Sequence, residues 1–386
     1  IFLFVDSAHR GAKLYVLCGM NDVFLLKKLH ERQQQHAFRR LELPAARIDF
    51  CSNDYLGIVH HRLIEKHQAS RYAGQSFRHG ATGSRLISGN YPLLQETEAQ
   101  IAAFHQAVAG LLYNSGYDAN VGLLSCVPQR GDTILYDYLS HASLRDGIRL
   151  SFAQAFSFRH NDLDDLEKKL RGAGGHIFVV TESVFSMDGD MAPLAEMSAL
   201  CLRYGAYLIV DEAHATGVVG PQGVGLVQQL GLQDACFARV NTFGKAVGCH
   251  GAIVLGSAVL RDYLINFSRS FIYSTAMPES SAAAIRSAYA VLPGMEAERA
   301  HLRELIDLFQ QASCAWEKLP SATPIQVIMA PGNDRVKQLA EKIQKAGMDV
   351  RPIMYPTVPA GKERLRIVLH AFNTREEVER LINLLQ

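Results

Sequence analysis

The sequence lacks an excess of charge of either sign. It carries 39 lysines and arginines against 38 aspartates and glutamates, a net of +1. That balance argues against a general binder of nucleic acid or of anionic membranes, which needs a basic excess or patch. A cysteine framework is missing too. Cys18, Cys51, Cys126, Cys201, Cys236, Cys249 and Cys314 are odd in number, scattered and without a C-x-x-C pair. Neither a disulfide scaffold nor a zinc site is expected, and a reducing compartment is favoured. Long apolar runs are also absent: Ile1 to Val5 and Tyr207 to Val210 fall far short of a membrane span of roughly 20 residues. Asp6, His9 and Arg10 follow the first run without a small-residue cleavage site, so no secretory signal is read and a cytoplasmic location is expected. Residues 1–20 differ in texture from the rest of the chain, and Met20, ahead of Asn21-Asp22-Val23, is expected as the natural start.

What is present is a globular chain of 386 residues, 48% hydrophobic, long enough for two or three domains at roughly 150 residues each. A charged helix is expected over about 22–40 and a short strand over Arg47 to Cys51. From about 90 to 300, strand-like runs alternate with helical ones, the pattern of an α/β domain with a mostly parallel sheet. The strands are expected at Thr133 to Tyr136, Ile177 to Thr181, Tyr207 to Val210, Val240 to Phe243 and Ala252 to Leu255. A long helical stretch over about 280–319 leads into a smaller α+β pattern, with strands at Ile325 to Met329, Val350 to Met354 and Leu365 to Leu369. The expected division is an N-terminal arm and helix over 1–45, a large α/β domain over 46–285 and a small α+β domain over 286–386, joined through continuous helix.

In open α/β sheets ligands bind beyond the carboxyl ends of the strands. Those ends carry Asp211-Glu212-Ala213-His214, Thr242-Phe243-Gly244-Lys245, Ser140-His141-Ala142-Ser143 and Glu182-Ser183-Val184-Phe185-Ser186. Each has a plainer reading alone. Asp211 serves equally well as a helix cap, a single histidine is more often structural than catalytic, and Asp211 with His214 could ligate a metal, though no third ligand stands at suitable spacing. Several nucleotide and hydrolase signatures fail: Arg239 and Ala246 break the phosphate-loop pattern around Gly244-Lys245, and neither G-x-S-x-G nor G-x-G-x-x-G occurs. The set as a whole fits pyridoxal 5'-phosphate (PLP). That cofactor needs a lysine to form a Schiff base, an acid to keep the pyridinium protonated, and a cup for the phosphate. Lys245 and Asp211 suit the first two roles. Asn114-Ser115-Gly116-Tyr117, ahead of a helical run, offers backbone N–H groups for the third, and His141 can stack on the ring.

These motifs resemble the α-oxoamine synthase family of fold-type I PLP enzymes. The resemblance runs from about residue 38 to the end, through Ser52-Asn53-Asp54-Tyr55-Leu56-Gly57, Gly80-Ala81-Thr82-Gly83-Ser84-Arg85, Glu182 to Asp190, Tyr273-Ser274-Thr275 and Arg364-Leu365-Arg366. It implies an α/β fold-type I transferase with a mostly parallel seven-stranded sheet between helices. It also implies that Lys245 holds the cofactor and moves a proton at the substrate Cα. Asp211 would pair the pyridinium, His214 and Ser186 reach the ring's phenolic oxygen, and His141 stack. Ser115, Gly116, Tyr117 and Thr242 would lie at the phosphate. Ser274 and Thr275 would complete that site from the other subunit of an obligate homodimer. Asn53 and Arg366 would grip the amino-acid carboxylate. Ser84, in the glycine-rich loop, is a substrate-site candidate. Arg39 aligns where the distal carboxylate of an acyl chain could be met, and reads equally as a solvated helix arginine. Thr357-Val358-Pro359-Ala360-Gly361 looks most like the biotin-pathway branch, which condenses L-alanine with a pimeloyl thioester, on coenzyme A or an acyl-carrier protein. Glycine C-acetyltransferase is the nearest rival. An aminotransferase, or a silent paralogue serving as a subunit partner, is the alternative outside the family's chemistry.

Overall fold

The computed structural model describes residues 22–35, 37–41 and 47–386. The expected start at Met20, and residues 1–21, 36 and 42–45 of the arm expected over 1–45, lie outside the described residues. Where it is described, that arm holds a helix over Val23–Gln34, shorter than the stretch expected over 22–40.

A seven-stranded sheet organises most of the chain. Its spatial order is Ala109–Tyr113, Ala252–Gly256, Cys236–Thr242, Tyr207–Asp211, Ile177–Glu182, Thr133–Asp137 and Gln154–Phe158. Ala252–Gly256 runs antiparallel to both neighbours, and the other pairings are parallel. Parallel strands are covered on both faces and therefore read as unbroken apolar runs. Ile177–Glu182 is buried at every position. Side chains alternate across the sheet, so two separate cores form. Leu135, Val179, Leu208 and Ile253 pack on one face, and Ile134, Val180, Ile209 and Val254 on the other.

The covering helices close by ordinary end chemistry. In Leu163–Arg171, the Asp162 side chain accepts from Asp165 N, acids fill the first turn, bases fill the last, and Leu166 and Leu170 face inward. Two strands of the seven-stranded sheet escape the sequence pattern. Ala109–Tyr113 sits in an apolar run indistinguishable from buried helix, and its Gly110 has no room for a side chain, since a Cβ there would stand 2.6 Å from Ile253 Cδ1. Gln154–Phe158 is an edge strand with three exposed residues and so lacks a core signature.

The C-terminal part contains a three-stranded antiparallel sheet in the order Arg351–Ile353, Arg364–Val368, Ile325–Met329, with helices Asn333–Lys345 and Arg375–Leu384. The helical stretch expected over 280–319 is not continuous. Helix Glu279–Val291 passes into a 3₁₀ turn at Leu292–Gly294, and a second helix spans Glu296–Gln311. Pro293 has no N–H to continue the first helix, and Gly294 adds backbone freedom. Residue 286 thus falls inside Glu279–Val291.

One long-range connection positions the site. Ile48–Asp49 pairs with Met348–Asp349, Val368 N donates to Phe50 O at 2.9 Å, and Ala371 N donates to Tyr55 O at 2.8 Å. The segment carrying Asn53 is thereby laid along the strand carrying Arg366. Among the described residues no helix is long and apolar enough to cross a membrane.

Candidate active site

Because Ile177–Glu182, Tyr207–Asp211 and Cys236–Thr242 are parallel, their last residues Glu182, Asp211 and Thr242 emerge on one edge of the sheet. A cavity of about 300 Å³ opens there, lined by Asn53, Ser115, Gly116, Tyr117, His141, Asp211, His214, Thr242 and Lys245 among the expected residues. Asn120, Ser143 and Glu182 also line it.

The acid at the floor is rigidly held. Asp211 Oδ1 accepts from Ala213 N at 2.8 Å, and Oδ2 accepts from Asn120 Nδ2 at 2.7 Å. Asp211 therefore does take a backbone N–H, as a cap would, but turns follow it and not a helix. The Asn120 amide also donates to Ser143 Oγ at 2.9 Å. That hydroxyl lies 2.8 Å from His141 Nδ1, which accepts from Ser143 N at 3.2 Å. Donor balance along this chain makes His141 Nδ1 an acceptor and leaves the proton on Nε2. Burial, against the pull of Asp211, lowers the His141 pKa, in keeping with a neutral ring. Asn120 and Gly116 are four residues apart on one helix and so share a face; that spacing is the signal by which Asn120 was findable in the sequence.

On the other side, His214 Nδ1 lies 2.6 Å from the Tyr55 hydroxyl, which is 3.2 Å from Asn53 Oδ1. Burial holds His214 well below the usual histidine range and pushes Tyr55 up to about 12, so both are neutral at physiological pH. Arg366 Nη2 donates to Asn53 Oδ1 at 3.1 Å, and Arg366 Nε donates to the Ser186 carbonyl at 2.7 Å. Ser186 thus joins the site through its backbone. Burial also pulls the Lys245 amine below its ordinary value, against the opposing charges of Asp211 and Glu182. Glu182 accepts from His141 N at 2.6 Å, and burial with the nearby Asp211 pushes it up to about 8.

The cradle fits a phosphate. Ser115 caps helix Gly116–Cys126, and this helix N-terminus, a natural anion site, lines the cavity through Ser115, Gly116 and Tyr117. A Cβ on Gly116 would stand 2.6 Å from Thr242 Cγ2, so the wall admits nothing larger than glycine. Thr242 Oγ1 is buried without a partner, as is Asn120 Oδ1. A buried hydroxyl of this kind calls for a ligand acceptor or water.

Six expected residues do not line this cavity in the single chain: Arg366 and Ser186 stand beside it, tied in through Asn53, and four others lie further off. Ser274 and Thr275 line a separate small cavity beside Arg85 and Phe271. Ser84 turns the glycine-rich loop, its carbonyl accepting from Gly89 N at 2.9 Å. Arg39 is exposed and donates to Thr357 Oγ1 at 3.2 Å, next to the stretch over 357–361.

Residues 46–385 match the family described as aminotransferase class I and II. The chain is 43% identical to the 8-amino-7-oxononanoate synthase of Emericella nidulans, with 93% of each chain covered. Among solved structures it is similar to serine palmitoyltransferase from Sphingomonas wittichii, with a TM-score of 0.84, 26% identity and coverage of 94% of this chain and 96% of that one. It is also similar to 8-amino-7-oxononanoate synthase from Francisella tularensis, with a TM-score of 0.72, 27% identity and coverage of 88% and 97%.

Proposed function

The chain belongs to the aminotransferase class I and II family, and we propose that it joins L-alanine to a pimeloyl thioester, releasing carbon dioxide and the carrier thiol and forming 8-amino-7-oxononanoate for biotin synthesis. The observation that carries this reading is the convergence of Lys245, Asp211, His141 and His214 on one cavity beside the Asn53–Arg366 pair, in a chain 43% identical to such a synthase.

PLP, when bound, supplies an electron sink for the charge left at the amino acid's Cα. Ser115, Gly116, Tyr117 and Thr242 hold its phosphate, with Ser274 and Thr275 contributed by the second subunit of a homodimer. Asp211, steadied by Asn120, keeps a proton on the ring nitrogen. His141 stacks on the ring, and His214 and Ser186 serve the phenolic oxygen. Arg366 and Asn53 bind the alanine carboxylate, the guanidinium supplying a planar fork for it. Lys245 takes the Cα proton and returns one after carbon dioxide has left. Its lowered pKa suits it to both tasks. The pimeloyl group arrives on coenzyme A or on an acyl-carrier protein, and the enzyme works in the cytoplasm.

The test is a visible absorption spectrum of the PLP-loaded protein. L-alanine, glycine and serine are added in turn, each with and without pimeloyl-CoA, while free thiol is followed. A spectral change with alanine, and thiol release only when pimeloyl-CoA is also present, is expected. Thiol released only from glycine with a short acyl-CoA would move the chain to the glycine C-acetyltransferase reading. Keto acid formed from alanine without a thioester would make it an aminotransferase.

A further inference from the structure

Outside the cavity, a densely bonded polar cluster near the site centres on His160. It lies two residues beyond the edge strand Gln154–Phe158. Its Nδ1 stands 3.0 Å from Asp137 Oδ1 and its Nε2 2.7 Å from Asp190 Oδ2. Carboxylate oxygens only accept, so the ring must carry both protons to make both bonds. Burial opposes that charge, yet the two acids outweigh it and push His160 up to about 9. Asn161 doubles the bridge, its N donating to Asp137 Oδ2 at 2.9 Å and its Nδ2 to Asp190 Oδ2 at 2.8 Å. The His160 ring also stands edge-on to Phe185, with centroids 4.4 Å apart.

Each acid anchors a loop that serves the cavity. Asp137 Oδ1 accepts from Leu139 N at 2.8 Å, and Asp137 O accepts from Ser140 N at 3.0 Å, which sets the turn into His141. Asp190 closes the turn after Phe185, its carbonyl accepting from Phe185 N at 3.0 Å. Within that turn Asp188 pairs with Arg364, and Ser186 O receives Arg366 Nε. His160 itself does not line the cavity.

We propose that His160 is a positioning residue of the active site, a charged bridge from Asp137 to Asp190 that locks the His141 turn to the Ser186 turn and so sets where Arg366 receives the amino-acid carboxylate. This role deepens the function given above and rests on it.

The experiment uses the full chain loaded with PLP and compares wild type, His160→Gln, Asp190→Asn and the double variant. Glutamine can reach one acid but carries no charge. Four quantities are measured: KM for L-alanine, KM for pimeloyl-CoA, the alanine concentration that half-perturbs the visible spectrum, and the thermal midpoint. In His160→Gln, both alanine constants should rise roughly 10-fold, the loss expected for one charge-assisted hydrogen bond. KM for pimeloyl-CoA should stay put. Asp190→Asn should shift the same constants, and the double variant should be little worse than Asp190→Asn alone, because the bond lost with His160 ends on Asp190. Unchanged alanine constants in a folded His160→Gln would overturn the proposal, as would alanine and pimeloyl-CoA constants rising together, or additive single effects. If His160→Gln does not fold, Asp190→Asn decides by the same alanine-specific readout. A wild-type enzyme whose spectrum ignores alanine would overturn the proposed function itself, and this inference with it.

Discussion

Replacing Gly116 by alanine would put a methyl group where the wall of the phosphate cup has no space. The added Cβ would stand 2.6 Å from Thr242 Cγ2, whereas carbon atoms rest comfortably at about 3.5–4.0 Å. Backbone freedom is not the obstacle, because Gly116 is not among the left-handed residues. Either the first turn of Gly116–Cys126 or the end of Cys236–Thr242 must retreat by roughly 1 Å. Overpacking of that size costs about 1–3 kcal/mol. If the displacement falls on the cup, PLP affinity should drop roughly 10- to 100-fold at 1.4 kcal/mol per decade. A second substitution separates this from general damage. Thr242→Ser removes the methyl that the new Cβ strikes and keeps the hydroxyl, which is buried and without a protein partner. The Gly116→Ala/Thr242→Ser protein should therefore regain most of the lost affinity. The assay is titration of cofactor-free wild type, both single variants and the double variant with PLP, followed by absorbance. Wild-type affinity in Gly116→Ala, or a double variant no tighter than Gly116→Ala alone, would refute the steric account.

The same geometry sets other outcomes. Lys245→Ala should lose the long-wavelength absorbance of the lysine-bound cofactor and at least ~10²–10⁴-fold in rate, the usual worth of a positioned proton-transfer group; an unchanged spectrum would remove Lys245 from its role. Arg366→Lys cannot reproduce both the donation to Ser186 O and the one to Asn53 Oδ1, so KM for alanine should rise about 10-fold or more while KM for pimeloyl-CoA holds. Glu182 is pushed up to about 8 by burial and by Asp211. Between its unfolded value of about 4.3 and that point, the native state holds a proton the unfolded chain has released, so rising pH erodes stability across that window. Glu182→Gln keeps an acceptor for His141 N and abolishes the titration. The Tm advantage of the cofactor-free variant over wild type should grow from about pH 5 to about pH 8 and then level off. An advantage independent of pH would contradict the assigned shift.

Legibility varied along the chain for identifiable reasons. Ile177–Glu182 and Tyr207–Asp211 could be read because strands covered on both faces are continuous apolar runs. Ala109–Tyr113 could not, since a short apolar run before a helix has no period of its own, and the crowding at Gly110 comes from Ile253, more than a hundred residues away. The break at Pro293-Gly294 was visible as residues but was outweighed by the helical pattern on both sides. Among site residues, Lys245, Asp211, His141 and His214 stood out as reactive types at strand ends. Asn120 and Tyr55 did not: only its spacing from Gly116 on one helix marked Asn120, and a phenol in a turn is ordinary until its partner His214 is known to be near.

By itself, then, the sequence determined the sheet's central strands, the reactive types at their carboxyl ends and the family. All of these depend on neighbours within a few residues, whose spacing the chain preserves. Tertiary structure decided the rest: which proton His141 carries, what holds Asp211, how Asn53 comes beside Arg366 across 313 positions, and how His160 ties two loops together. Hydrogen bonds and enclosure depend on distances in space, and these exist only once the strands have been laid side by side.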